Sequence, residues 1–581
     1  MEQDDRPTAN GDDGAYKWVA LTNTTMGMLM ATIDGSILLI SLPDIFRGIG
    51  LNPLKAGNTF YLLWMILGFL VVTSVLVVNL GRLGDIYGRV RMYNLGFLVF
   101  TIFSLLLTVT WMSGTAAGLW IVIIRVFQGV GAAMLIANSS AIITDAFPEH
   151  QRGTALGINQ AAGISGTFIG LVLGGILAPV NWRLIFLVSV PVGMVGTVWG
   201  YSKPREVGQH RMAHVDWPGN VTFAVGLIAL MIGITYGIEP YAGHTMGWSS
   251  PIVIGELVAG VVFLAVFVLI ERRAAQPMFR LQLFRIRAFT AGVVASFLAA
   301  LGRGGLMFIL IIWLQGIWLP QHGYDFARTP LWAGIYMLPL TTGFLVAGPV
   351  SGFLSDRFGS RPFATGGMLG SAAAFGAMEL LPINFRYWEF AVILLFAGLT
   401  MGLFASPNRA GVMNSLPPQH RGAGSGMNST FQNSAQVLSI GIFFTLMIVG
   451  LASSLPTGLY HGLVHQGVPP AVASRVSHLP PVSTLFAAFL GENPMQHLLG
   501  SAVLGHLPAA KAAVITGRSF FPSIISGAFE QGLHEAFDFA IASCLVAAAA
   551  SWLRGGKYVF REPGSEAEAA ERTLVSASSG P

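Results

Sequence analysis

Charge is missing from this chain over long intervals. Phe60 to Leu80, for example, contains no Asp, Glu, Lys or Arg. A run of about 20 apolar residues coiled as a helix crosses roughly 30 Å of hydrocarbon. On that criterion the pattern predicts fourteen helices, near 17–42, 58–80, 93–112, 117–143, 154–178, 183–201, 218–238, 250–271, 288–318, 330–351, 364–382, 388–412, 423–451 and 531–553. An even number places both termini on one side.

The polar breaks repeat. Gly81-Arg-Leu-Gly-Asp-Ile-Tyr-Gly-Arg-Val-Arg91 returns as Gly352-Phe-Leu-Ser-Asp-Arg-Phe-Gly-Ser-Arg361, so Gly81, Asp85 and Gly88 map onto Gly352, Asp356 and Gly359. The offset is 271 residues. A second set, Arg152-Gly153, Gly157 and Asn159, returns as Arg421-Gly422, Gly426 and Asn428 at an offset of 269, each behind a proline at 148 or 417. Two sets with nearly equal offsets predict a chain built twice. The expected fold is an all-α polytopic membrane protein, with two pseudo-symmetric six-helix bundles plus two inserted helices. The expected divisions are a tail over 1–16, one bundle over 17–201, a linker with the inserted pair over 202–287, the second bundle over 288–553, and a tail over 554–581. Within the second bundle, 452–530 is expected on the outer side, packed on the outer surface or bilayer interface through runs such as Leu485 to Leu490.

Composition agrees. The chain is 53% apolar and 10% charged, against about 25% charged in soluble domains, and its mean hydropathy is +0.66. Its 71 Gly and 30 Pro suit close helix contacts and bends inside a membrane. The acidic start, with Asp4, Asp5, Asp12 and Asp13, is unlike a signal peptide, so the first apolar segment is expected to be retained. Lys and Arg gather on the side of Arg82, Arg89 and Arg91, which predicts that the 81–91 turn and both termini are cytoplasmic in a multi-pass plasma-membrane protein. The cluster Arg272, Arg273, Arg280, Arg285 and Arg287 is expected to lie on anionic headgroups.

Several functions are excluded. The net charge of +5 is scattered, with no aromatic-interleaved basic patch for nucleic acid. No Gly-x4-Gly-Lys-Ser/Thr loop is present to bind ATP. Cys544 is the one cysteine, so no intramolecular disulfide or cysteine metal cluster can form. His461 and His465 lack a third ligand nearby, and no nucleophile–base motif stands out. The expectation is no enzyme, no cofactor and no metal.

The candidate chemistry is therefore charge placed inside apolar helices. Asp34 lies well inside the first helix, where a carboxylate costs at least a few kcal/mol. Either it couples protons to transport or it only holds the fourth helix by an ion pair. Arg125 lies at about the same depth on the fourth helix, so a pair is geometrically possible, as a switch or as a permanent bridge. Gln128, one turn further, is expected to bond helix to helix. Arg303 sits mid-helix in Ala-Leu-Gly-Arg-Gly-Gly and either lines a central cavity or balances Asp34 from the other half. Gln315, further along the same helix, completes the cavity set of Asp34, Gln128, Arg303 and Gln315. Glu256, Glu379, Glu535 and Asp538 are expected near the outer surface. Gly81, Asp85, Gly88, Arg89, Gly352, Asp356, Gly359 and Arg361 are expected to gate, with Asp145 as a partner for Arg89. Gly163, Gly166, Gly170, Gly174 and Gly175 recur every three or four residues, a packing face that could also slide between halves.

These residues resemble the major facilitator superfamily, and within it the fourteen-helix drug:proton antiporters. The Gly81–Arg91 turn looks like the superfamily signature between helices 2 and 3, and Arg125-Val-Phe-Gln128-Gly129-Val-Gly131 like its helix-4 motif. The Gly163–Gly175 series resembles the antiporter glycine motif, with Leu171 where proline is usual. Asp34 to Pro43 and Trp182-Arg183 to Gly193 resemble further motifs of the group. The resemblance implies a proton-coupled exporter of drugs or other amphiphilic small molecules working by alternating access, as a monomer among membrane lipids. Two alternatives stand: export of one endogenous lipid or secondary metabolite, and a non-transporting sensor or scaffold, in which Asp34 could be neutralised without loss of activity.

Overall fold

The computed structural model describes residues 11–52, 55, 57–202, 216–242, 244, 246–275, 277, 279–417, 421–491 and 493–555. The side chains of Arg152, Gly153, Asp356, Arg421 and Gly422, singled out above, lie outside the described residues.

Fourteen long helices carry the fold: α1 Gly11–Ile49, α2 Asn58–Tyr87, α3 Arg89–Thr108, α4 Gly114–Ala146, α5 Glu149–Leu177, α6 Leu184–Tyr201, α7 Trp217–Gly237, α8 Pro251–Arg273, α9 Arg287–Gln321, α10 Phe326–Ser355, α11 Ser360–Glu379, α12 Tyr387–Asn414, α13 Arg421–His465 and α14 Phe520–Trp552. Thirteen of them are long and apolar enough to span a bilayer. The other, α11, is rich in Gly, Ser and Ala and packs between α12 and α14. No strand occurs among the described residues.

The repeat in the sequence is a repeat in space. In the first half α1 packs on α4 and α5, α2 on α4, and α3 on α4 and α6; in the second, α9 packs on α12 and α13, α10 on α12, and α11 on α12 and α14. The matched turns share their geometry. Gly88 and Gly359 hold positive φ, +108° and +87°, which glycine adopts without the clash a Cβ would bring. Their N–H groups donate to Gly84 and Ser355 carbonyls at 2.9 and 2.8 Å.

The glycine series of α5 forms its seam within the first half. A Cβ at Gly166 would meet the Leu29 carbonyl at 2.8 Å, and one at Gly174 the Ile37 carbonyl at 2.9 Å, so helices α1 and α5 touch backbone to backbone. Gly163 faces Met28 and Gly170 faces Ile33 on the same helix. Only Gly175, against Leu331 of α10, meets the other half.

The inserted pair α7–α8 packs on itself, with α7 against α2 and α13. Helix α8 turns Ile252, Val258 and Val261 outward, an apolar face suited to lipid.

The outer stretch departs from expectation. Helix α13 runs 45 residues, about 67 Å at 1.5 Å per residue, and so far beyond a bilayer. It continues past the predicted end at 451 and through Pro456. Likewise α14 starts at Phe520 rather than 531, because Pro522 falls in its first turn, where the missing N–H has no helical partner to lose. The segment Pro481–Phe489 is not a surface or interfacial piece: all nine of its residues are buried. Phe486 stacks on Phe444 of α13 at 5.2 Å, and Phe489 meets Phe308 of α9 edge-on at 5.9 Å.

Candidate functional site

The ends of α2, α3 and α4 meet in a charged cluster. Arg89 opens α3 and its guanidinium takes Asp85 Oδ1 at 2.7 Å and Asp145 Oδ2 at 2.7 Å. All three side chains are 26–35% exposed, and all belong to the first half. The matching corner is built differently. Asp145 corresponds to Asn414 at the offset of 269, and Arg361 lies over the Trp552 ring at 3.8 Å. Gly81 faces Ala137, and Gly352 faces Ser406 at 2.7 Å from its would-be Cβ.

Deeper in the first half, Arg125 of α4 is ion-paired to Asp34 of α1, with both side chains 1% exposed. Gln128 closes the network: its Oε1 accepts from Arg125 Nη1 at 2.7 Å, and its Nε2 donates to Asp34 Oδ1 at 2.9 Å and Ser104 Oγ at 2.8 Å. Arg125 also donates to the Met65 carbonyl at 3.2 Å and stacks on the Phe69 ring at 4.3 Å. Both partners of the buried carboxylate come from α4, and α2 and α3 hold those partners in turn, as a buried charge requires.

In the second half, α9 breaks at Gly304–Gly305. The break is held by Ser439 of α13, whose Oγ donates to the Leu301 carbonyl at 2.5 Å and accepts from Gly305 N–H at 2.9 Å. A Cβ at Gly304 would lie 3.0 Å from Gln436 Cα, so only glycine lets α13 come this close. Arg303 is the last residue before the break and forms no hydrogen bond or ion pair with the described residues.

Between the halves lies a cavity of about 2160 Å³. Its first-half wall includes Thr32, Ser36, Thr73, Arg125 and Asn159; its second-half wall includes Arg303, Met307, Arg409, Gln432 and Gln436. It reaches Asp85, Arg89 and Asp145, so it opens on the side of the 81–91 turn. The opposite end is shut. Gln315 of α9 donates to the Ile40 carbonyl of α1 at 3.3 Å, and a Cβ at Gly334 of α10 would touch the Leu171 carbonyl of α5 at 3.1 Å. Trp318, stacked on His322 and Phe385 at 3.8 and 5.1 Å, fills the space behind.

A sequence profile of the Major Facilitator Superfamily matches residues 24–214 and 216–440. The chain belongs to that superfamily. Its members are transporters rather than enzymes. This facilitator is 28% identical over 432 residues to a riboflavin transporter, RibZ, of Clostridioides difficile, covering 74% of this chain and 87% of that protein. It is 28% identical over 451 residues to the methyl viologen resistance protein SmvA of Salmonella typhimurium, covering 76% and 85%. It is 25% identical over 534 residues to the tetracenomycin C resistance and export protein of Streptomyces glaucescens, covering 92% and 90%. Its fold is similar to that of a bacterial homolog of the human lysosomal transporter Spinster, with a TM-score of 0.54 over 94% of this chain and 99% of that one at 14% identity.

Within this facilitator the residues read from the sequence fall into three layers. Asp34 and Gln128 lie behind Arg125 rather than on the cavity wall, and both are fully buried. Gln315 belongs to the closed end, not to the cavity, because α9 widens into a π-helical turn over Trp313–Trp318 and Gln315 there bonds to α1. Arg303 alone of the four lines the cavity, and it is not paired with Asp34. Glu535 and Asp538 are exposed, while Glu379 lies 3.6 Å from His534. Two features were not singled out in the sequence. Arg409, five residues from the end of α12, counts as an end residue until the cavity is seen to reach it. Gln432 and Gln436 follow Asn428 of the repeat at four-residue intervals on α13, a polar face that its overall apolarity conceals.

Proposed function

We propose that this facilitator is a proton-coupled exporter of amphiphilic small molecules, with Asp34 and Arg125 as the coupling pair. The observation that carries the reading is the sealed ion pair one layer behind the wall of a large cavity open to one side. A proton placed on Asp34 removes the charge to which Arg125 is held, and Arg125 is the member of the pair that faces the cavity. Proton binding and cavity shape are thereby linked, which is what exchange by alternating access requires. The concentration of arginines around the 81–91 turn supports a cytoplasmic position for the open side, so cargo enters from the cytoplasm. The cavity is complete within one chain, which supports a working monomer. Drug-resistance and export relatives support outward transport.

The test uses the full chain in liposomes with an imposed pH gradient, following a fluorescent amphiphile and proton movement together. Export that consumes the gradient is the expected result, and Asp34→Asn is expected to lose it while staying folded. Gradient-driven export by Asp34→Asn at the wild-type rate would remove the coupling assignment. A chain that moves no amphiphile under any gradient would favour the sensor or scaffold reading.

A further inference from the structure

Carboxylates line this cavity only at its mouth. Among the described residues these are Asp85 and Asp145, both held by Arg89, and Glu271, which accepts the Phe279 N–H at 3.0 Å. Deeper, the wall carries Arg125, whose charge is met by Asp34, together with Arg303 and Arg409. Arg409 is exposed into the cavity, and its one side-chain bond is to the neutral amide oxygen of Gln160 at 2.7 Å. Arg303 has no partner at all among the described residues. Neither charge is compensated by a described residue.

The two arginines also stand at different depths. Asn408, beside Arg409, donates to Ser296 Oγ of α9 at 2.7 Å. Arg303 lies seven residues further along α9, about 10 Å nearer the closed end. A guanidinium stays charged at any working pH and offers paired donors that match a carboxylate or phosphate. Between them α13 presents Gln432 and Gln436, while Met307 and Phe308 give the apolar end of the cavity.

We propose that the cavity selects amphiphiles with an anionic headgroup, a carboxylate, phosphate or sulfonate, held first at Arg409 and then at Arg303. The inference rests on reading the cavity as the cargo site. It opposes a simple lipophilic-cation pump, since a cation at this depth meets two uncompensated like charges and no carboxylate.

Two probes with the same tail decide it: dodecyl phosphate and dodecyltrimethylammonium. Binding of each is measured on the full chain in phosphatidylcholine nanodiscs, against empty nanodiscs. Wild-type protein is expected to bind dodecyl phosphate about tenfold or more tightly than the cation. Arg303→Gln and Arg409→Gln are each expected to weaken dodecyl phosphate about tenfold while leaving the cation equal or tighter, as loss of a charge-assisted bond implies. Arg303→Lys, which keeps the charge, is expected to recover part of the loss. Displacement by inorganic phosphate identifies the headgroup alone as the ligand, and its absence identifies the whole amphiphile; either supports the anion site. Tighter binding of the cation, or equal losses for both probes in folded variants, overturns the inference and leaves the cargo site standing. Failure to bind either probe overturns both.

Discussion

Arg125 donates to both Asp34 and Gln128, and of these three side chains Arg125 is the one that lines the cavity. Breaking a buried pair from one side leaves a charge stranded, at a cost of about 3–5 kcal/mol. Arg125→Ala is therefore expected to lower thermal stability in detergent sharply. Asp34→Asn combined with Arg125→Gln, which strands no charge, is expected to recover most of that stability but no gradient-driven transport. Recovery of transport in the double variant would reduce the pair to a structural brace.

Arg89 bridges Asp85 and Asp145 within the first half, which fixes the shape of that corner. Each half-exposed pair contributes about 0.5–1 kcal/mol. Asp145→Asn is accordingly expected to shift the ratio of open to closed cavity about two- to fivefold, with cargo affinity in either state unchanged. Distances between spin labels on the 81–91 turn and the start of α13 report that ratio, and they should move more at low salt than at high salt.

Glu239, just beyond α7, accepts a hydrogen bond from Thr59 of α2, and burial pushes its carboxyl up to about 7. The folded chain therefore holds a proton there that the unfolded chain releases near the ordinary value of 4.5. Stability from this site is fully present below pH 4.5 and is lost as pH rises through about 7. Melting curves should show that decline in the wild type and its absence in Glu239→Gln.

Much of this arrangement is legible in the residues because it repeats or because it is costly. The corner glycines at 88 and 359 announce themselves by their equal spacing, and Asp34 and Arg125 by the expense of charge in hydrocarbon. What stays hidden depends on what packs across. Gln128 and Gln315 have the composition of cavity residues, yet one is sealed by Arg125 and the other by α1. The α5 glycines signal a close contact without naming the partner, which is α1. The predicted bounds at 451 and 531 fall short of the helices, which take Pro456 into the interior of α13 and Pro522 into the first turn of α14.

The buried segment Pro481–Phe489 leads to the last prediction. A Cβ at Gly316 of α9 would lie 3.3 Å from the Ala488 carbonyl, and Phe489 backs Phe308, which forms part of the cavity wall. The segment therefore fills the closed end of the cavity from behind. Truncating a buried phenylalanine to alanine costs about 3–5 kcal/mol and leaves a void. If the segment plugs the outer end, Phe489→Ala should do more than lower stability: it should favour the state open on the far side, because the wall behind Phe308 is lost. Phe100→Ala in the first half, fully buried on α3 and away from the cavity wall, supplies the comparison. Equal loss of stability with a changed accessibility of cysteines introduced at cavity-wall positions such as Thr73 and Gln432 in Phe489→Ala alone is the expected result. Unchanged accessibility in both variants would make the segment a passive part of the core.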